Sequence, residues 1–241
     1  MGDVRIGTSG WAYKDWNGPF YPDEVKAAGR LEYISRRFRT LEINASFYRM
    51  PGDAAVKGWR EQTPEDFLFA WKASKFITHN KRLKDPDEPL AYMFSRIDGL
   101  GGKIGPILFQ LPPQMKRDDE RLKGFLQALP TARRYSVEFR DPGWYAEPVL
   151  TMLADHGVAL CLSDHHHAPA PFEMTADFIY LRGHGPGGHY HGRYGEAALK
   201  DWAKHIQRWR RERDVFVYFD NDIKSAAPAD ADQLVGLLKR Q

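Results

Sequence analysis

Eight short apolar runs recur along the chain with starts about 20 to 37 residues apart, averaging about 30. That is the length of one strand–helix unit. The runs are rich in β-branched and aromatic residues and are bounded by Gly, Pro or polar clusters. They cover Val4–Thr8, Thr40–Asn44, Phe67–Lys72, Ile104–Leu111, Arg134–Arg140, Val158–Asp164, Phe178–Arg182 and Val215–Asp220. Helix-compatible stretches lie between them, at Glu24–Arg37, Ala54–Gln62, Pro89–Leu100, Asp118–Leu129, Pro148–His156, Glu196–Arg213 and Ala229–Arg240. Eight strands alternating with helices predict an α/β fold, a TIM (β/α)8 barrel, and 241 residues is close to the ~250 that this fold typically uses. A doubly wound sheet usually has fewer strands. No low-complexity linker divides the chain, so residues 1–241 read as one domain. The unit after the sixth run is defective: His165-His166-His167-Ala168-Pro169-Ala170-Pro171 is too short and Pro-rich for a helix, and an irregular loop is expected there.

Composition narrows the function classes. No apolar run approaches the ~18 residues of a membrane span, and the start of the chain has no apolar leader core. A cytoplasmic protein with no membrane partner is expected, and nothing in the sequence demands an obligate protein partner. The one cysteine, Cys161, sits inside an apolar run and reads as a buried small hydrophobe. Thirty-five basic against 32 acidic residues give a net charge of +3. A protein held by phosphate backbones usually shows a stronger excess, so nucleic acid is allowed but not demanded.

Strand alternation says where the chemistry should sit. In a barrel, successive side chains point alternately to the interior and to the helix layer. Leu41 and Ile43 alternate with Thr40, Glu42 and Asn44; Val137 and Phe139 with Ser136, Glu138 and Arg140. Ile179 and Leu181 alternate with Tyr180, Arg182 and His184; Val217 and Phe219 with Tyr218 and Asp220. The apolar members should face the helices and the polar ones the interior. Lys72, Gln110 and Asp164 also end their strands, and the C-terminal end of a barrel carries its active site. A mixed-sign ring is therefore expected there: Glu42, Glu138, Asp164 and Asp220 with Lys72, Arg140, Arg182 and His184.

Such a ring suits acid/base work on an anion. Arg140 and Arg182 could clamp a carboxylate or phosphate, Glu138 could serve as general base, and His184 could shuttle a proton. Lys72 could act electrostatically or form a Schiff base. The alternative is that Glu42 and Glu138 pair with the arginines in a structural network. The carboxylates and His184 are also metal-ligand types, but three neighbouring cations would neutralise them. No metal ligand is assigned and no cofactor is required, a divalent metal staying an option only. Gly183-His184-Gly185-Pro186-Gly187-Gly188 has the letters of a dinucleotide fingerprint but no helix after it, and reads instead as a loop. Trp11 and Tyr13, in the aromatic stretch after the first strand, could stack a planar ligand.

At these residues the chain resembles the YecE-like family, the domain of unknown function 72. The matching pieces are Gly7-Thr8-Ser9-Gly10-Trp11 with Phe20-Tyr21-Pro22, the run Glu42-Ile43-Asn44-Ala45-Ser46-Phe47-Tyr48-Arg49-Met50-Pro51, and Phe69-Ala70-Trp71-Lys72 with Ile77-Thr78-His79. They continue with Gln110-Leu111-Pro112-Pro113, Glu138-Phe139-Arg140 with Trp144, Tyr180-Leu181-Arg182-Gly183-His184-Gly185, Tyr190, Tyr194 and Tyr218-Phe219-Asp220-Asn221-Asp222. The resemblance implies a TIM barrel and brings no activity with it, although members have been likened by fold to metal-dependent endonucleases. The family usually has Asn where this chain has Asp220, and often His and Ser where Asp141 and Gly143 stand.

The expectation is a barrel whose mouth performs acid/base chemistry, with phosphoester hydrolysis the favoured class, on a small anionic or phosphate-bearing molecule. Glu138, His184 and Lys72 would be catalytic. Arg140, Arg182, Trp11, Tyr13, Glu42, Asn44, Gln110, Asp164, Tyr218, Asp220 and Asn221 would bind or orient the substrate. The alternatives are a non-catalytic binder of single-stranded nucleic acid and a metal-dependent, endonuclease-like hydrolase.

Overall fold

A computed structural model describes residues 1–239. Eight parallel strands form a nearly closed barrel: β1 (Val4–Thr8), β2 (Thr40–Ile43), β3 (Leu68–Lys72), β4 (Ile104–Gln110), β5 (Tyr135–Glu138), β6 (Ala159–Ser163), β7 (Phe178–Gly183) and β8 (Asp214–Phe219). Each strand pairs with its neighbour in sequence from β2 round to β8, and β8 pairs with β1. The last seam, between β1 and β2, is not a full ladder. It closes through a bridge between Ser9 and Glu42, with the Gly10 N–H donating to the Glu42 carbonyl at 2.8 Å.

Eight α-helices lie in the connections: α1 (Arg30–Ser35), α2 (Ala45–Tyr48), α3 (Asp53–Glu61), α4 (Asp87–Ile97), α5 (Asp119–Gln127), α6 (Glu147–Asp155), α7 (Glu196–Trp209) and α8 (Ala226–Lys239). Local chemistry sets several of their starts. The Asp118 carboxylate accepts from the Arg121 N–H and caps α5, and Pro148 occupies the first turn of α6, where no N–H is needed. Among the described residues the segment 164–177 holds no helix, as its two prolines led one to expect.

Several boundaries differ from the sequence reading: α7 ends at Trp209 rather than Arg213, α4 runs over Asp87–Ile97 rather than Pro89–Leu100, and β5 stops at Glu138 rather than Arg140. The helix expected over Glu24–Arg37 shrinks to α1 after a 3₁₀ turn at Ala27–Gly29, because Gly29 interrupts the run. Helix α8 begins at Ala226 rather than Ala229, taking Pro228 into its first turn, and Arg240, the expected last residue, lies outside the described residues. Short elements with too few residues to show a period also went unread: α2, and a π-helical turn over Phe76–Asn80.

The alternation of side chains divides the core in two. Leu41, Ile43, Val137, Phe139, Ile179, Leu181, Val217 and Phe219 belong to a large apolar layer between strands and helices. A separate cluster fills the barrel interior: Ala70, Leu108, Ala159, Cys161, Phe178, Tyr180, Phe216 and Tyr218. Cys161 is thus a buried interior residue. No helix among the described residues is long and apolar enough to cross a membrane.

The seam depends on a missing side chain. A Cβ at Gly7 would stand 2.0 Å from the Thr40 carbonyl oxygen, so β1 and β2 approach this closely only because Gly7 has none. Gly7→Ala is expected to destabilise the chain by roughly 1–3 kcal/mol through overpacking. Urea unfolding would measure this, and Gly58→Ala, on the surface of α3, serves as the control.

Candidate functional site

Above the interior plug, the last inward residue of nearly every strand is polar. Ser9, Glu42, Lys72, Gln110, Glu138, Ser163, Arg182 and Asp220 form one ring at the C-terminal mouth, all of them buried. Arg182 lies at its centre with no solvent exposure. Its Nη1 donates to Glu138 Oε2 at 2.8 Å, and its Nη2 to Glu42 Oε1 and Asp220 Oδ2, each at 2.7 Å. Burying a guanidinium and three carboxylates would be prohibitive singly; together they satisfy one another.

The ring continues outward through Arg140. Its Nη2 lies 2.7 Å from Glu138 Oε1, and its Nη1 donates to the Tyr190 hydroxyl at 2.7 Å. Ser163 Oγ donates to Glu138 Oε1 at 2.9 Å. Burial works against charge on Glu138, yet Arg140 and Arg182 hold its pKa well below the usual carboxylate range. Glu138 is therefore a fixed anion. The general-base role expected of it is not one that its surroundings allow, because its basicity is spent on two guanidiniums.

His184 has no exposure. Its Nε2 is met by Arg140 Nη2 at 3.1 Å and Arg182 Nη1 at 3.2 Å, while its Nδ1 faces Asp164 Oδ1 at 3.1 Å. Guanidiniums only donate, so Nε2 accepts and Nδ1 carries the proton. The ring is locked between arginines and Asp164 rather than turned to the mouth, which leaves it no path as a shuttle. Arg182 is likewise no anion clamp, since both its amino groups are filled by protein carboxylates.

Three expected substrate-binding residues are displaced from the mouth. Asp164 follows the inward Ser163, so strand parity turns it outward. It accepts from the His184 N–H at 2.7 Å and from the Tyr194 hydroxyl, positioning His184 from behind. Asn221 follows the inward Asp220 and donates to the Gly192 carbonyl and to Asp230, at 2.7 and 2.8 Å. Tyr218 is inward but one layer too deep: its hydroxyl meets Thr40 Oγ1 at 2.8 Å, and its ring lies 5.0 Å from that of Tyr180.

Lys72 is the exception in the ring. It is 6 % exposed, its Nζ lies 4.6 Å from the centre of the Phe47 ring, and among the described residues it forms no hydrogen bond or ion pair. Burial and the charge of Arg182 pull its pKa down to about 8, against the pull of Asp220, Glu42 and Glu138. The charge count explains the balance: Glu42, Glu138 and Asp220 face Arg140, Arg182 and Lys72, so the ring is neutral only while Lys72 is protonated.

Two further groups carry signals that the sequence did not single out. His79, on the π-helical turn, packs edge-on against Phe47 at 5.0 Å. Burial lowers its pKa to about 4, helped by Lys72, Arg140, Lys75 and Arg82, so the four strongest charges around it are all positive. Asp222 lies on the opposite flank, beside Tyr13 and Asp220. Burial and the Asp220 charge raise its pKa to about 8, and its Oδ1 is buried without a partner. Gln110 ends β4 in register with Glu138 and is 9 % exposed at the mouth.

A cleft of about 410 Å3 opens beside the ring, lined by Trp11, Tyr13, Asn44, Tyr48 and Trp59. Trp11 and Trp59 meet edge-to-face at 5.5 Å, and the Tyr13 hydroxyl donates to the Ser9 carbonyl at 2.7 Å. Asn44 Oδ1 is buried without a hydrogen-bond partner. Of the three consecutive histidines, His165 folds in over the ring, 5.3 Å from His184 and 5.5 Å from Tyr190. No group of three or more His, Cys, Asp or Glu among the described residues converges as a metal site. The glycine-rich loop after β7 forms a 3₁₀ turn at Pro186–Gly188 and opens no α-helix.

Arg182→Met would strand three buried carboxylates and is expected to cost about 3–5 kcal/mol, read by urea unfolding, with Arg182→Lys recovering little because one ammonium cannot reach all three. Asp222 has a pH signature. Its folded pKa stands above the unfolded value of 3.8, so its contribution to stability is intact below about pH 4 and is lost as pH rises through about 8. Asp222→Asn should therefore gain stability over the wild type progressively between pH 4 and pH 8, and a constant difference across paired unfolding curves would contradict this.

The comparisons agree with the fold. The family model described as "Protein of unknown function DUF72" matches residues 5–241. The UPF0759 protein YunF of Bacillus subtilis is 26% identical over 98% of this chain and 94% of its own length. The UPF0759 protein YecE of Escherichia coli is 32% identical over 60% of this chain and 51% of its own. The crystal structure of a DUF72 family protein from Thermotoga maritima superposes with a TM-score of 0.90 at 28% identity, covering 98% of this chain and 99% of that one. With the family model matching nearly the whole chain and the fold in accord, the chain belongs to the DUF72 family.

Proposed function

We propose that the mouth of the barrel binds a small anion and performs acid/base chemistry on it beside Lys72. One observation carries this reading. Around His79 gather Lys72, Lys75, Arg82 and Arg140, and of these cations Lys72, Lys75 and Arg82 have no carboxylate in ion-pair contact among the described residues. Elsewhere in the ring every cation is matched by a carboxylate. Unmatched positive charge beside a largely buried amine attracts an anion.

The acid/base pair follows from the two groups whose surroundings shift them toward neutrality from opposite sides. Asp222 keeps its proton at pH 7 and can donate it; Lys72 exchanges its proton near pH 8. Arg182, Glu138 and His184 act behind them, holding the field in place. Phosphoester hydrolysis fits in this form: water attacks phosphorus, the ester oxygen leaves with the Asp222 proton, and one proton of the water returns to Asp222. Lys72, charged, would neutralise the phosphoryl oxygens. The cleft at Trp11 and Tyr13 is large enough to hold the remainder of a small molecule.

Titration calorimetry with inorganic phosphate tests the reading. Lys75 and Arg82 are exposed, so Lys75→Ala with Arg82→Ala should leave folding intact and raise the phosphate Kd about tenfold or more, one lost charge contact commonly being worth 1.4 kcal/mol. Affinity should also fall as pH rises through about 8, where Lys72 loses its charge. An unchanged Kd in the double variant would sink the proposal. Salt-sensitive binding to a single-stranded oligonucleotide, with none to phosphate, would replace it by a nucleic-acid interface.

A further inference from the structure

We propose that Lys72 is a carbonyl-trapping amine, condensing with a small anionic aldehyde or ketone of the 2-oxo acid class that enters the mouth. The inference deepens the anion-binding reading above and rests on it for the anionic part of the substrate.

The geometry sets Lys72 apart from the other lysines. Its side chain ends β3, points to the barrel interior and is held against the face of Phe47. Lysines nearer the surface, in contrast, pair with carboxylates: the exposed Lys57 lies 3.8 Å from Glu61 and the half-buried Lys81 lies 3.2 Å from Asp85. Lys72 Nζ has neither a hydrogen bond nor an ion pair among the described residues, yet it is not sealed off, since Lys72 keeps 6 % exposure at the mouth. A buried amine that serves only to balance the ring would be expected to touch the carboxylates, as Arg182 does. Lys72 stands back from Glu42, Glu138 and Asp220, with its lone pair free once deprotonated. Desolvation and a neighbouring cation are the two devices that turn a lysine into a nucleophile, and both burial and Arg182 act on this one.

The step balances with the groups present. The neutral amine adds to the carbonyl carbon, forming a C–N bond and a carbinolamine. The carbinolamine oxygen then leaves as water, taking one proton from the nitrogen and one from an acid, for which Asp222 holds a proton near neutrality. The product is a protonated imine to Lys72, with the Asp222 carboxylate left behind, plus one water, and no oxidant or reductant is consumed. The substrate's carboxylate would lie toward Lys75, Arg82 and His79, where the unmatched positive charge is.

Reductive trapping tests this on the full chain. The protein is incubated with pyruvate and sodium cyanoborohydride at limiting reagent, and intact mass and peptide maps are read. Lys72 should be labelled at least tenfold above the exposed Lys57, Lys84 and Lys123, and its labelling should level off above about pH 8 while theirs keeps rising toward pH 10. Lys72→Met should abolish the selective label, with circular dichroism melts confirming that the variant folds. Acetone, an uncharged ketone, separates the two readings. Pyruvate labelling Lys72 faster than acetone does supports the whole proposal. Equal rates overturn its anionic part and the reading beneath it. Labels confined to surface lysines overturn the imine alone, since phosphate titration measures anion binding independently.

Discussion

A guanidinium with no access to water, gripped by three carboxylates from three different strands, is the constraint around which this barrel is arranged. Arg182 comes from β7, Glu42 from β2, Glu138 from β5 and Asp220 from the end of β8, so a single ionic cluster fixes the relative heights of four strands. Desolvation makes such a cluster costly to assemble and more costly to leave incomplete. Everything near it is arranged to complete it: Arg140 and Ser163 on Glu138, Tyr180 on Glu42 at 2.6 Å, and His184 between the arginines. The cluster also sets the protonation states on which function would depend, by lending charge to Lys72 on one side and Asp222 on the other.

The barrel and most of the ring were legible in the sequence because both follow from periodicity. Strand recurrence near 30 residues gave eight units, alternation within a barrel placed Glu42, Glu138, Arg182 and Asp220 inward, and their position at strand ends brought Lys72 and Gln110 to the mouth. The same rule, applied one residue further, would have turned Asp164 and Asn221 outward and put Ser163 in the ring. Asp164 reads as inward because it is the polar last residue of its run, and Asn221 because it stands next to Asp220. Tyr218 shows the other limit: parity gives the direction of a side chain but not its depth.

Roles were less legible than places. Glu138, Arg182 and His184 carry the residue types of a base, a clamp and a shuttle, but their partners are contributed by strands far apart in sequence, and pairing removes those abilities. The groups that keep freedom, Lys72 excepted, sit on irregular backbone. His79 lies on a π-helical turn, Arg82 has a left-handed φ of 49°, and Asp222 is followed by Lys224 and Ser225 with φ of 56° and 58°. No period marks such segments. The visible signal was compositional: Thr78-His79 with three cations within a few positions, and an Asp two residues beyond an inward Asp.

The incomplete seam gives the ring a mechanical side. Glu42 is at once the residue whose backbone joins β2 to the β1 end and the residue whose side chain holds Arg182. The joint that closes through an isolated bridge is therefore also held from within by charge, and its opening equilibrium is tied to the ion cluster through Glu42. Amide protons at Gly10 and at the pairing edge of β2 would report that equilibrium by their exchange with deuterium. Anything that loads or unloads charge at the mouth would be felt first at this joint, as slower or faster breathing of the wall between the first two strands.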